Sequence, residues 1–218
     1  MLKKLTEEQQ DRILEAGIEA FADRGLRGAS MAAIAREAGI SVGVLYKYYA
    51  NKEAFFQACL RRSLEALEQV LEVVTAREDK LLGYAGRIIQ VLTAFSRAHP
   101  SHIRMYHQIT ASGGEEARRL AEAVEGVTAR LYTGYIARGR EGGDLRRDMD
   151  PRLFAFFFDN LLMMLQFSCC CDYYRARMAL YCGSSPEEAL PAVEEELLKF
   201  LESAFTLERG AIRHRDQK

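Results

Sequence analysis

Residues 31–50, MAAIAREAGISVGVLYKYYA, leave few folds open, because they spell two short helices joined by a glycine turn. Ile34, Ala35 and Ala38 put small and apolar side chains on one face of the first. Gly39 stops it, since glycine accepts the left-handed backbone that a helix C-terminus favours. Ser41 can cap the second helix by accepting from an amide of its first turn. Leu45, Tyr48 and Tyr49 then continue an apolar spacing of i, i+3 and i+4. Two helices with such a turn form the helix-turn-helix, whose second member lies in a DNA major groove.

The flanks extend the pattern. Ile13, Ala16, Gly17, Ala20 and Phe21 recur at helical spacing, with Asp11, Glu15, Glu19 and Asp23 mostly turned away. Thr6 and Gln9 have capping-box spacing, so this helix is predicted to begin near residue 6 and to end at Gly25. After the second short helix, Asn51-Lys52-Glu53 opens another, with Phe55, Phe56 and Cys59 on its apolar face. The result is a three-helix head running directly into a long fourth helix.

These residues resemble the N-terminal domain of the TetR family of bacterial transcriptional regulators. The resemblance rests on Phe21-Ala22-Asp23-Arg24-Gly25, Ser30-Met31-Ala32-Ala33-Ile34-Ala35, the run Ala38 to Tyr49, and Asn51-Lys52-Glu53. One departure is visible: the family usually has Thr near position 29, where this chain has Ala29, which leaves Ser30 to cap the helix and meet phosphate alone.

Beyond the head the chain reads as helices with short joints and no convincing strand. Helices are predicted over 52–77, 79–98, 101–111, 115–140, 150–181 and from 185 onward. Asp150-Pro151 and Ser185-Pro186-Glu187-Glu188 supply the N-terminal caps of the last two. With the head this gives an all-α fold of about nine helices, which is also the plan the resemblance implies. The division expected is 1–51 for DNA binding, 52–208 for ligand binding and dimerisation, and 209–218 as a polar tail.

The formal net charge of the 218 residues is −1, which argues against indiscriminate nucleic-acid binding. Its distribution is uneven. Arg24, Arg27, Arg36, Lys47 and Lys52 face only Glu37 between residues 24 and 52, a local net of +4 suited to oriented docking on phosphates. The N-terminus carries no signal-peptide pattern, and five cysteines, three adjacent, make no disulfide framework, so the expected compartment is a reducing cytoplasm. The apolar run 153–171 is long enough for a bilayer, but Asp159, Asn160 and Gln166 interrupt it, so a buried helix and no membrane contact are expected.

Through the motif, the resemblance implies DNA roles residue by residue. Ser30 and the amides opening the second helix would hold a phosphate, with Arg36 nearby. Ser41 would cap the reading helix; Val42, Val44 and Lys47 would face the groove, with Gly43 permitting close approach. Tyr46, Tyr48 and Lys52 would touch phosphates or thymine methyls, while Leu45 and Tyr49 belong to the core. Two valines at reading positions leave few hydrogen-bonding groups, so methyl contact and DNA shape would carry much of the specificity.

The resemblance further implies a homodimer on a pseudo-palindromic double-stranded operator, and a small-molecule effector in the middle helices. The last two long helices are the expected interface, four helices with the two-fold mate, and the final one offers a seam of Leu190, Val193, Leu197, Phe200 and Ala204, widened by Leu201. Candidate effector contacts are Tyr84, Arg87, Met105, Tyr106, Asp159, Asn160, Met163, Met164, Phe167 and Cys170. Asp159 and Asn160 stand out, because a polar pair in so apolar a helix needs a partner. No cofactor or metal is expected, and an enzyme is disfavoured: the four histidines form no ligand motif, and neither GxSxG, a P-loop nor GxGxxG occurs. The expectation is therefore a ligand-responsive repressor released from its operator by a hydrophobic or amphipathic molecule. The alternatives are a helical binding protein without DNA function, or a thiol sensor built on Cys169-Cys170-Cys171.

Overall fold

The computed structural model describes residues 5–75, 81–111, 114–143, 145–146 and 148–205, although not every side chain within them. Among the described residues there are ten α-helices and no strand. The head comprises α1 (Glu7–Gly28), α2 (Met31–Glu37) and α3 (Val42–Tyr48). Then follow α4 (Lys52–Thr75), α5 (Leu81–Ala98), α6 (Pro100–Thr110), α7 (Gly114–Gly142), α8 (Pro151–Cys170), α9 (Asp172–Cys182) and α10 (Pro186–Phe205). The predicted boundaries at 77 and 79, most of the break at 112–114, and the tail 209–218 lie outside the described residues.

Local chemistry sets the ends of these helices. Thr6 and Gln9 form a reciprocal capping box, the Thr6 hydroxyl accepting from Gln9 N and the Gln9 side chain from Thr6 N. Gly25, at φ 63°, kinks α1 where the head turns, a conformation that a Cβ would strain. Gly39, at φ 70°, makes the tight turn between α2 and α3. Ser30 Oγ accepts from Ala33 N and Ser41 Oγ from Val44 N, so both head helices carry serine caps. Ser185 and Glu188 form a second capping box at the start of α10.

One expected helix is two. The stretch 150–181 breaks at Cys171, which takes φ −103° and ψ 124° while its N–H still bonds Phe167 O. No glycine or proline marks that break, and this is why nine helices become ten.

The interior is layered along the chain. Around the head, Ile13, Ile18, Phe21, Ile34 and Leu45 pack with Phe55, Phe56 and Cys59 of α4 and with Met105 and Ile109 of α6. The head's core thus reaches past residue 51 and takes in two later helices. A larger core joins α4, α5, α7, α8 and α10 through residues such as Ile88, Leu92, Phe158, Leu162 and Phe205. Between them lies a small cluster of Phe95, Ile103, Phe167, Cys170 and Cys171. Each face buries apolar area worth roughly 25 cal/mol per Å².

Candidate functional site

The second head helix, α3, has two unlike faces. Leu45 is fully buried, and Tyr49 packs on Phe55 in a tilted arrangement with ring centroids 4.8 Å apart. On the other side Val42, Gly43, Tyr46, Lys47 and Tyr48 are exposed, with Val44 half-buried. Ser30, Arg36 and Ser41 are also exposed, at the starts of α2 and α3 and along α2. The chain itself does not require glycine at 43: an added Cβ would meet only Ser41 Oγ, at 4.0 Å.

Two of the predicted DNA contacts have other work. Lys52 Nζ donates to the carbonyls of Arg27 and Ala29 at 3.1 and 3.2 Å, closing the orphan carbonyls at the end of α1. Its ammonium fixes the head to α4 instead of standing free for phosphate. Tyr48 Oη accepts from Leu5 N at 2.9 Å, tying the segment before α1 to the reading helix, though the ring stays exposed.

A cavity with about 60 Å³ of free space opens among α4, α5, α6, α7 and α8, enough to admit water as it stands. Of the ten predicted effector contacts, Met105, Tyr106, Asp159 and Met163 line it. The other six do not. Tyr84 stacks on Tyr135 in the larger core, ring centroids 3.4 Å apart. Arg87, on α5, and Met164 are half-buried elsewhere. Phe167 packs against Tyr174 and His107. Cys170 Sγ lies 3.4 Å from Gln166 O. Asn160 Nδ2 donates to Phe156 O one turn back, at 2.7 Å, so the α8 backbone itself answers that polar group.

Asp159 has no such answer. It faces the cavity, and burial followed by the nearby charge of Glu125 pushes its carboxyl up to about 7. Glu125 accepts from the Tyr106 hydroxyl, which also lies 3.3 Å from Met163 Sδ. Burial first, and then these carboxylates, push the Tyr106 and Tyr132 hydroxyls well above the usual phenol range. At the far wall, burial drives the pKa of His102 below that of ordinary imidazole, although Glu15 opposes the shift.

Ser63, His102, Glu125, Thr128, Tyr132 and Gln166 were not expected at this site. A signal for them exists in retrospect. Glu125, Thr128 and Tyr132 fall at i, i+3 and i+7 on α7, as do Asp159, Leu162 and Gln166 on α8, each a stripe of mixed polarity facing one space.

The cavity and the head share a wall. Met105 of α6, fully buried, lines the cavity and packs in the head's core. Polar contacts repeat the connection: His102 Nε2 to Glu15 at 3.2 Å, Arg104 to Asp23 at 3.1 Å, and Gln108 Nε2 to Ala22 O at 3.3 Å, all from α6 to α1.

The seam expected on α10 is only partly outward. Leu190 and Leu201 are 6% and 2% exposed, enclosed in their own protomer, and Val193, Leu197 and Ala204 rest half-buried against the same core. Phe200 alone of the six stands out, at 59%. The larger exposed apolar surface is on α8, where Leu153, Phe156 and Phe157 are 57%, 61% and 54% exposed. This helix is long and apolar enough to cross a bilayer, yet its opposite face is core, through Phe154, Phe158, Leu162 and Leu165.

The cysteines are free. Burial pushes Cys169 up to about 11, against what a reactive thiolate needs, whereas a hydrogen bond with Cys170 lowers Cys171, which is itself buried.

Residues 13–59 match the sequence profile described as bacterial regulatory proteins, tetR family. Over these residues the head is that of TetR-family regulators in sequence. That segment is the one in which Gly25, Ser30, Gly39 and Ser41 punctuate the three helices. Over a longer stretch the chain is similar to the fatty acid metabolism regulator protein of Bacillus subtilis (strain 168). Identity is 23% over 146 residues, 65% of this chain and 73% of that protein. In fold it is similar to the transcriptional regulator FadR from Bacillus subtilis, solved in complex with stearoyl-CoA. The TM-score is 0.73 at 16% identity, covering 90% of this chain and 100% of that one. AibR, solved with isovaleryl coenzyme A and operator DNA, gives a TM-score of 0.60 at 23% identity over 74% of this chain and 85% of its own. The shared fold therefore runs well beyond the matched head.

Proposed function

We propose that this TetR-family regulator is a homodimeric, effector-released repressor of transcription. The observation that carries the reading is α6, one helix whose Met105 walls the cavity and fills the head's core. Whatever enters the cavity acts on α6, and α6 holds α1. A ligand preferring one position of α6 shifts the head by its differential affinity for the two states.

On the DNA side, Val42, Val44, Tyr46 and Lys47 read the groove, while Ser30, Arg36 and the ring of Tyr48 meet the backbone. The exposed face of α3 and the unneeded glycine at 43 support this orientation. Dimerisation uses the apolar face of α8, with Phe200 of α10 beside it. A contiguous apolar face of this kind is seldom left to solvent. Two-fold pairing there presents two reading helices to successive major grooves, about 34–36 Å apart or a multiple of it. The effector is apolar or amphipathic; the solved relatives bound to stearoyl-CoA and isovaleryl coenzyme A support an apolar tail within such a fold, and say nothing of the head group here.

The test is selection of fragmented genomic DNA on the purified protein, followed by sequencing of the retained pieces. An inverted repeat enriched in those pieces is the expected result. Recovery no different from input DNA would overturn the reading.

A further inference from the structure

The charged groups around the cavity are one-sided. Among the described residues that line it there are two carboxyl groups, Glu125 and Asp159, and no lysine or arginine. Glu125 accepts from the Tyr106 hydroxyl, and Asp159 shows no hydrogen bond or ion pair to the chain. His102 adds a third acceptor. Its Nε2 faces the Glu15 carboxylate at 3.2 Å, and a carboxylate accepts, so Nε2 carries the proton. With the ring neutral in its buried setting, Nδ1 is a bare lone pair. That atom is buried without a partner, on a side chain 6% exposed. Gln166 Nε2 is likewise buried and unpartnered at 7% exposure, on the stripe of α8 that carries Asp159. Two lining side chains more than nine-tenths buried thus carry unmet hydrogen-bonding atoms, an acceptor on His102 and a donor on Gln166, beside a space otherwise walled by Leu67, Leu92 and Phe95. Buried polar atoms of this kind are seldom left unanswered in native structures.

We propose that the effector is a lipophilic amine, whose ammonium group donates to Glu125 and Asp159 while its apolar body fills the leucine and phenylalanine walls. The rings of Tyr106 and Tyr132 add faces that attract a cation. A carboxylate or phosphate head in the same place would meet two acids with no described lysine or arginine beside them, so anionic amphiphiles are rejected. The proposal rests on the effector-cavity reading above and narrows it to one head-group chemistry.

A matched series decides it: n-decylamine, n-decanol and n-decanoate share a tail and differ in the head. Calorimetric titration of the full-length protein should give the amine a Kd about tenfold or more below that of decanoate, the scale of one hydrogen bond to a charged group. The double variant Glu125→Gln with Asp159→Asn, which keeps size and the Tyr106 acceptor, should bring the amine within about threefold of decanol, since the charge-assisted contact is gone. Circular dichroism of the variant confirms its helices. Equal affinity for the three heads, or a preference for decanoate, overturns the amine proposal and leaves the cavity standing. No binding or melting shift with any of the three overturns the effector cavity, and the amine proposal falls with it.

Discussion

Gly17→Ala should destabilise this protein, although the same exchange in most helices stabilises. Alanine is favoured over glycine inside a helix by about 1 kcal/mol. At position 17, however, an added Cβ would lie 2.5 Å from Phe55 Cζ, 2.6 Å from Cys59 Sγ and 2.7 Å from Phe55 Cε1. Carbon atoms rest about 3.5–4.0 Å apart, so α1 and α4 must part by roughly 1 Å or the ring must turn. Neither is easy. Phe55 and Cys59 are fully buried, and the Phe55 ring is held between Phe21 and Tyr49, at centroid distances of 5.8 and 4.8 Å. Overpacking a filled core costs about 1–3 kcal/mol. Against the helix gain, the net loss expected is on the order of 1–2 kcal/mol at the upper half of that range.

Gly134→Ala on α7 is the matched control. There the Cβ would meet only the end of Arg138, a flexible side chain, at 3.7 Å, and the gain of about 0.5–1 kcal/mol should appear intact. Urea denaturation of both variants at one protein concentration gives the two signs directly, the fixed concentration removing mass-action effects of assembly. If Gly17→Ala were as stable as the parent, the close seating of α1 on α4 would be wrong. The separation of the reading heads, which that seating sets, would then need a different account.

Other outcomes follow from the same geometry. Leu45→Ala should cost about 2–5 kcal/mol of stability in the denaturation assay, as a fully buried leucine truncated in place. Lys47→Ala should leave stability nearly unchanged, weaken operator binding, and flatten its salt dependence by about one counterion in fluorescence anisotropy. Phe156→Glu with Phe157→Glu should yield monomers by sedimentation velocity, because like charges would be buried across the two-fold axis; an intact dimer would place the interface elsewhere. Asp159→Asn should raise stability in a pH-dependent way. The folded carboxyl is shifted up from the ordinary 3.8 to about 7 by burial and Glu125. Its neutral form therefore favours the fold below pH 4, and that advantage is lost as pH rises through 7. The variant should match the parent near pH 4 and exceed it at pH 8, by at most about 4 kcal/mol at 1.36 kcal/mol per unit. Equal melting curves at pH 8 would show the carboxyl to be well solvated.

The head was legible in the sequence because its signals are local. Thr6 with Gln9, Ser30, Gly39 and Ser41 each act within four residues, and all take the predicted conformations. The break at Cys171 carries no such mark, since a helix interrupted by tertiary packing needs no glycine or proline. The cavity was half legible for a similar reason. Asp159 announces itself as an acid within an apolar helix, whereas Glu125 sits on α7 among many exposed charges and becomes notable only beside Asp159. Lys52 matched the motif, yet its ammonium caps α1, an arrangement that depends on where Arg27 and Ala29 end up in space. On α10, periodicity identified an apolar stripe but could not say which neighbour would cover it. Leu190 and Leu201 face their own protomer, and α8 carries the larger outward face.

The energetic demands on the cavity can be compared with what its residues supply. Turning a regulator from 99:1 in one state to 1:99 takes a ligand that prefers the second by about 5.5 kcal/mol. Apolar filling alone is a poor source, because a tail that contacts leucine walls similarly in both states shifts nothing. The acid pair is a better one. An Asp159 held near 7 instead of 3.8 represents up to about 4 kcal/mol opposed to its ionisation. A cation seated between the two carboxyls returns part of that only in the state that brings them together. His102 can carry the change onward: it lines the cavity with Nδ1 unpartnered while its Nε2 holds Glu15 of α1, so a donor arriving at one nitrogen would strengthen or release the hold of the other. In the homodimer proposed above, one cavity in each half would let two ligands act on one pair of heads. The shortfall of a single site against 5.5 kcal/mol is thereby met without any contact between effector and DNA.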